Sequence, residues 1–361
     1  MPEGYRRNLE KNHMIHAKEG VYMNKECVIR RAEYEDIPAI MEFIDNYWKK
    51  DHILAKSRCY FEYQHCYNGE VSFVIAEEPV NKELEGILGY IVYSEKAEER
   101  DLFGVIWKVR SNNYPMLGMK IQLFAMRNLG ARSFSGIGLN QSTLNMHKRW
   151  GASLGKLKQY YMLADKEKYS IAKVEKVNKA GYNTKLEQFV LRRMVDEEGL
   201  LEICEMEKRN GKIPRKSSRF VKHRYFSNPV YTYVKYAVYQ GKNIQGILIS
   251  REIECNSSKV LRIVDYLGDV HAIAHIGKGL KDLLLEKGYE YIDFYLYGID
   301  DQILIDAGFV ERDESDKNVI PSYFEPFVQE NVDLDFYTTA KKDVILFKGD
   351  GDQDRPNAMN E

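Results

Sequence analysis

The sequence predicts an α/β (α+β) protein built as two tandem domains of similar plan. Three observations carry that expectation. Runs of β-branched and aromatic residues alternate with amphipathic helical patterns along the 361 residues, a length of about two ordinary domains. Residues 105–152 hold a compact strand–loop–helix–strand–helix unit. The same order of elements returns after residue 185, and a single repeat of that size means two domains rather than a solenoid.

The 105–152 unit is the part from which the rest is read. Val105, Ile106, Trp107 and Val109 suit a buried pleated strand. Asn112, Asn113, Pro115 and Gly118 then break it with turn chemistry. Beyond Gly118 the period changes: Met119, Leu123 and Met126 recur at helical spacing, Lys120 and Arg127 share another face, and Leu129-Gly130 ends the run. A strand follows over 133–139, and Asn140 caps a second helix that stops before Gly151. The first helix presents unpaired N–H groups at its start, which with the helix dipole make an anion site, most often for phosphate.

This unit resembles the acyl-CoA-binding core of the GNAT acyltransferases. In that family a strand ends in a loop Gln/Arg-x-x-Gly-x-Gly/Ala, and the next helix holds the CoA pyrophosphate. Here the loop reads Asn113-Tyr-Pro-Met116-Leu-Gly118 and keeps only the last glycine. The second helix keeps more, with Asn140, His147 and Gly151-Ala152 at the family's spacing of Asn, Tyr and Gly-Phe. The resemblance implies two GNAT-like domains, each a mixed central sheet flanked by helices. It implies acyl-CoA as co-substrate, with Val109, Asn113, Met116, Leu117, Gly118, Met119, Lys120 and Asn140 as its binding residues. It also places His147 where the family commonly has the tyrosine that protonates the departing thiolate, a task an imidazolium can perform.

Composition excludes several classes. The formal net charge is −1 with acids and bases interspersed, which leaves no basic face for nucleic acid. No apolar run approaches a membrane span, and the start, Met-Pro-Glu-Gly-Tyr-Arg-Arg, lacks a signal-peptide core. Five scattered cysteines (27, 59, 66, 204, 255) without zinc spacing point to reduced thiols, no metal, and a cytoplasmic protein.

In chain order, residues 1–24 are a charged, unpatterned tail, and 25–164 fill one domain. Cys27-Val-Ile-Arg-Arg-Ala reads as its first strand. Asp36-Ile-Pro starts a helix with a carboxylate cap, whose apolar face is Ile40, Phe43, Ile44 and Tyr47. Residues 71–77 and 86–93 read as hairpin strands, and 157–163 as the domain's last strand. The lysine-rich stretch 165–184 reads as a linker. Residues 185–348 repeat the plan, with strands at 189–195, 236–239, 244–251, 260–266 and 291–297 and helices at 198–208, 276–287 and 300–307. The helix at 198–208 carries Leu200, Leu201, Ile203 and Met206. The loop Ala274-His-Ile-Gly277-Lys-Gly279 is richer in glycine than its counterpart, but Leu304 stands where His147 does. An ionisable group bears on chemistry and glycine turns are common, so the first domain is expected to hold CoA.

The set His52-Ile-Leu, Arg224-Tyr-Phe-Ser-Asn-Pro-Val-Tyr, Tyr291-Ile-Asp-Phe, Pro321-Ser-Tyr-Phe-Glu-Pro-Phe and Asp350-Gly-Asp-Gln-Asp-Arg-Pro-Asn resembles two-domain GNAT proteins of bacterial surface-polysaccharide pathways (O-antigen, capsule or S-layer glycan). Some of those acylate the amine of a dTDP-linked amino-deoxysugar. That resemblance implies a short acyl group, acetyl or 3-hydroxybutyryl in type, passed to a nucleotide-linked amino sugar. The tail 349–361 would fold toward the cleft: Asp350, Asp352 and Asp354 for sugar hydroxyls and amine, Arg355 for a diphosphate. Tyr323 and Phe324 would stack on the base, with Glu325 beside them.

The expected mechanism is direct attack without an acyl-enzyme. The oxyanion would be held by backbone N–H near residues 105–109, worth about 3 kcal/mol of barrier. The general base stays open between His52, Glu325 and a water chain. An O-acyltransferase on polysaccharide, a peptidoglycan aminoacyl transferase and a non-catalytic GNAT pair are the other readings, and a homo-oligomer is compatible with all of them.

Overall fold

The computed structural model describes residues 26–94, 96–110, 114–177 and 181–355. The tail 1–24, Asn113 and residues 356–361 lie outside them. The chain forms two compact units. Unit 1 holds the described residues up to Leu154 together with Phe336–Lys341, and unit 2 holds Gly155–Asp335 and the residues from Lys342 on.

Unit 1 is a sheet of β1 (Val28–Arg31), β2 (Phe73–Glu77), β3 (Leu84–Val92), β4 (Asp101–Val109) and β5 (Ser133–Ile137), neighbours in that order. All pairs are antiparallel except β4–β5. Helix α1 (Ile37–Phe43) buries Ile37, Ile40 and Phe43 at helical spacing. Asp36 precedes it but does not cap it. Its carboxylate takes two bonds from Arg30 (2.6 and 2.8 Å) and the Glu33 amide instead. Helix α2 (Leu117–Asn128) is the crossover between the parallel strands and buries Leu117, Ile121, Ala125 and Met126 against Val74, Leu88 and Leu102. Each large side chain there contributes roughly 1.5–3 kcal/mol. The stripe read from the sequence is thus rotated: Met119 and Leu123 flank the core instead of centring it. Helix α3 (Gln141–Arg149) follows β5.

Unit 2 repeats this order. Strand β6 (Ser153–Leu163) leads into β7 (Val190–Arg193), helix α4 (Leu200–Asn210), β8 (Val234–Gln240), β9 (Asn243–Cys255), β10 (Ser258–Gly268), helix α5 (Gly277–Glu286), β11 (Tyr291–Tyr297) and helix α6 (Asp301–Asp306). The sheet order is β7-β8-β9-β10-β11-β6, antiparallel except β10–β11. Leu201, expected in the core, is 71% exposed because Leu200 and Ile203 set the buried face of α4.

Three expected boundaries are corrected. Strand β6 belongs to unit 2 from Gly155 on, pairing with β11 from Lys158–Leu296 to Leu163–Tyr291, so the first unit ends at Leu154 rather than at 164. Strand β12 (Leu334–Thr338) returns to unit 1 and pairs antiparallel with β5, Tyr337 opposite Gly136. A strand's alternation shows that it will be half buried, not which sheet edge it will complete. The 165–184 stretch is no free linker: Ile171 and Ala172 are buried, and the Glu290 carboxylate accepts the amides of Ser170, Ile171 and Ala172 at 2.6–2.8 Å.

Candidate active site

In both units the parallel pair is short and ends at a bulge. Pairing of β4 with β5 stops at Gly104–Gly136. The next residue, Val105, has no opposite number on β3, since Tyr90 faces Gly104 and Gly89 faces Ile106. In unit 2 the parallel pairing stops at Ile263–Phe294, and the next residue, Val264, is skipped between Ser250 and Ile249. An extra residue bends and twists its strand, which frees it from the parallel neighbour. Residues 105–109 of β4 accordingly have no strand partner on the β5 side among the described residues.

The two splayed slots differ in what surrounds them. In unit 1, Trp107 Nε1 donates to the carbonyl of Gly118 at 3.2 Å, tying the free strand end to the first turn of α2. Met116 precedes that helix in the left-handed region (φ 61°), is 61% exposed, and no side chain caps the helix. Leu117 is buried and anchors the loop. A Cβ on Gly118 would rest in ordinary van der Waals contact, 3.5 Å, with Trp107 and Val109, so this side of the first turn packs on β4. Lys120 projects from the same turn and pairs with Glu26 at 3.0 Å. Val109 thus closes the strand end, and Met116, Leu117, Gly118, Met119 and Lys120 form the helix start that Trp107 ties to it.

In unit 2 the corresponding places are filled. Gly277 lies under Tyr182, where a Cβ would come within 2.2 Å of Tyr182 Cβ, and Gly279 lies under Leu191. The Lys278 amide is taken by Gln188 Oε1 at 3.0 Å. The glycines of this loop serve close packing. Strand β13 (Leu346–Phe347) pairs with the end of β11, and the Gly349 amide donates to the bulge carbonyl of Val264 at 2.8 Å.

His147 lies on α3 and is fully buried. Its ring stacks on Tyr337 (centroids 3.5 Å apart, planes 11°), meets Trp150 edge-on and lies 6.1 Å from Trp107. Neither ring nitrogen has a hydrogen-bond partner among the described residues. Burial pushes its pKa down to about 3, so the imidazole is neutral at pH 7. Burial thus stands against the imidazolium role read from the sequence, because the N–H that a neutral ring keeps is far too weak an acid to protonate a thiolate. Tyr337, missed in the sequence, lies on β12 far from α3 in the chain. Its hydroxyl accepts from Gln122 Nε2 at 3.0 Å.

Other expected site residues have structural duties. His52 is buried, and its Nδ1 accepts the Leu54 amide at 3.2 Å, capping the helix Ile53–Lys56 with Trp48 edge-on beside it. Asn140 Oδ1 caps α3 through the Thr143 amide at 3.0 Å and is committed there. Tyr323 and Glu325 are exposed on a short hairpin, while Phe324 is half-buried against Arg262.

The tail acids belong to unit 2 and are consumed inside it. Asp350 pairs with Lys216 (2.9 Å), which also binds Asp265 (2.6 Å). Burial opposes the charge on Lys216, but these two carboxylates outweigh it and raise its pKa. Arg224 grips Asp352 and Asp354, Tyr233 donates to Asp354 (2.8 Å), and Arg355 Nε donates to the Tyr233 hydroxyl (2.8 Å). The Arg224–Tyr231 segment of the sequence is therefore part of the receptor for the tail.

No family model matches the sequence, and no curated protein matches it. Among solved structures, the GCN5-related N-acetyltransferase from Anabaena variabilis ATCC 29413 superposes with a TM-score of 0.54 at 10% identity, over 86% of this chain and 72% of that one. A probable N-acyltransferase from Enterococcus faecalis V583 superposes with 0.54 at 9% identity, over 79% and 70%. These likenesses show the fold: the chain has the mixed α/β architecture of GCN5-related N-acetyltransferases.

Proposed function

We propose that the protein is an acyl-CoA-dependent N-acyltransferase and that unit 1 binds the acyl-CoA. The observation that carries this reading is the Val105 bulge, set one residue beyond the last parallel pair and beside the uncapped start of α2. The free edge of β4 offers backbone groups to a pantetheine arm, and the first turn of α2, with Lys120, offers N–H donors and positive charge to a diphosphate. The occupied slot of unit 2 supports the same assignment.

In the reaction, the lone pair of a neutral amine attacks the thioester carbonyl carbon, and backbone N–H at the bulge holds the oxyanion. The C–S bond breaks as the amide forms, and the ammonium proton passes to the leaving thiolate through water. Holding both reactants in one slot supplies much of the rate. His147 contributes a neutral, unpartnered ring next to Trp107; its N–H is a hydrogen-bond donor, not an acid.

As acceptor we propose the amine of a dTDP-linked amino-deoxysugar, with a short acyl donor, on the strength of the sequence segments quoted above. The tail acids are not assigned to it. Thiol release from acetyl-CoA and 3-hydroxybutyryl-CoA, measured against dTDP-amino sugars, a peptide amine and a sugar hydroxyl, tests the reading. Release only with hydroxyl acceptors, or with none, would sink it.

A further inference from the structure

Unit 1 holds a cavity of about 80 Å³ at the end of α2 remote from Gly118. The helix spans 12 residues, about 18 Å, so this cavity is distinct from the helix start. It lies where β1 and β3 end, β4 begins and the chain leaves α2. A short hairpin, Cys66–Tyr67 paired with Glu70–Val71, forms one wall. Asn68 and Gly69 turn it, both in the left-handed region (φ 51° and 79°) that an Asn-Gly hairpin turn requires. Val92, Leu102 and Leu129 give the cavity an apolar floor.

Two guanidiniums line the same space. Arg31 donates to the Asn128 carbonyl and Arg100 to the Leu129 carbonyl at 3.4 Å, so both serve the end of α2. That duty leaves donors over. Arg100 Nε is buried with no hydrogen-bond partner among the described residues. Leaving such a donor unmade costs about 1–3 kcal/mol, and more on a charged group. Neither arginine forms an ion pair among the described residues. The Tyr90 hydroxyl makes no hydrogen bond among them either, and burial pushes its pKa up to about 12, so it remains a donor at pH 7. Arg31, Arg100 and the carboxylate of Glu70 all act electrostatically on that hydroxyl. Two positive charges and one negative leave the lining with a single net positive charge.

We propose that this cavity binds a small monocarboxylate. Its head would lie on Arg31, Arg100 and the Tyr90 hydroxyl, and its short alkyl stem on Val92, Leu102 and Leu129. Guanidinium forks match the two oxygens of a carboxylate. The single net charge fits a monoanion better than a phosphate dianion. The apolar floor suits an alkyl stem, which a tetrahedral ion lacks. The inference does not rest on acyl transfer by unit 1.

Titration of the methyl-labelled full chain with sodium butyrate, followed by NMR, tests it. The methyl signals of Val92, Leu102 and Leu129 should shift saturably. Butyramide, which has the stem without the charge, and inorganic phosphate, which has the charge without the stem, should leave them in place. No shift with butyrate, or an equal one with butyramide or phosphate, would overturn the proposal. Arg100→Gln should raise half-saturating butyrate about tenfold, as expected for a lost charge-assisted bond. Because Arg100 also serves the end of α2, Tyr90→Phe is the second variant. It removes a hydroxyl that the fold does not bond, and half-saturation should rise about threefold. An unchanged value in either folded variant would overturn the proposal as well. A chain that turns over no acyl-CoA would leave every one of these readouts standing.

Discussion

The imidazole of His147 lies flat on the ring of Tyr337, centroids 3.5 Å apart, with both of its nitrogens buried and unpartnered. The stack joins α3 to a strand that arrives from the far end of the chain, and it fixes the protonation state of the histidine. Burial keeps the folded pKa near 3, against the ordinary 6.5. Below pH 6.5 the unfolded chain therefore takes up a proton that the folded chain refuses, and stability falls as pH falls through that window. The slope is at most about 1.4 kcal/mol per pH unit. Unfolding in urea from pH 7 to pH 4.5 should show wild type losing about 2–3 kcal/mol more than His147→Phe. Parallel profiles would mean that His147 is charged or solvated.

Tyr337 covers Gly136, where a Cβ would come within 2.6 Å of its ring. The ring is held by the His147 stack and by Gln122, so it has little room to yield. Gly136→Ala should cost about 1–3 kcal/mol of overpacking, seen as a lowered midpoint in guanidinium. A neutral result would show that Tyr337 rearranges freely.

Gly118→Asp places a carboxylate at the start of α2, its Cβ in ordinary contact with Trp107 and Val109, where it would compete with phosphate for the N–H groups and repel it. KM for acyl-CoA should rise at least tenfold with kcat within a few-fold, about 1.4 kcal/mol or more of binding. An unchanged KM would remove α2 from the cofactor site.

His52→Ala removes a cap and should cost about 0.5–2 kcal/mol of stability. Saturating kcat should stay within a few-fold of wild type. A thousandfold loss would restore His52 as the base.

Lys216→Met strands the buried carboxylates of Asp265 and Asp350 without their cation. Thermal unfolding should report a loss of about 3–5 kcal/mol, far above that of an exposed pair such as Lys222–Glu197.

Much of the fold was legible before the structure. The 73–92 hairpin, the parallel strands with their crossover helix, and the recurrence of that plan all follow from hydrophobic period and turn chemistry, which act locally. The start of α2 was legible for the same reason, since Pro115 and Gly118 break the strand. The bulges were not, because Val105 and Val264 are ordinary strand residues that only a partner's register reveals. The capping duties of His52 and Asn140 were not legible as such, because a cap and a ligand use the same atoms.

The sequence by itself determined two α/β units, their internal order, and the place where α2 starts. Tertiary structure alone decided that β6 and β12 complete the units they do, that Tyr337 buries His147, and that the tail acids face inward to Lys216 and Arg224. The reason is physical: period and propensity are written over a few neighbouring residues. Burial, protonation and ion pairing depend on groups more than a hundred positions away in the chain.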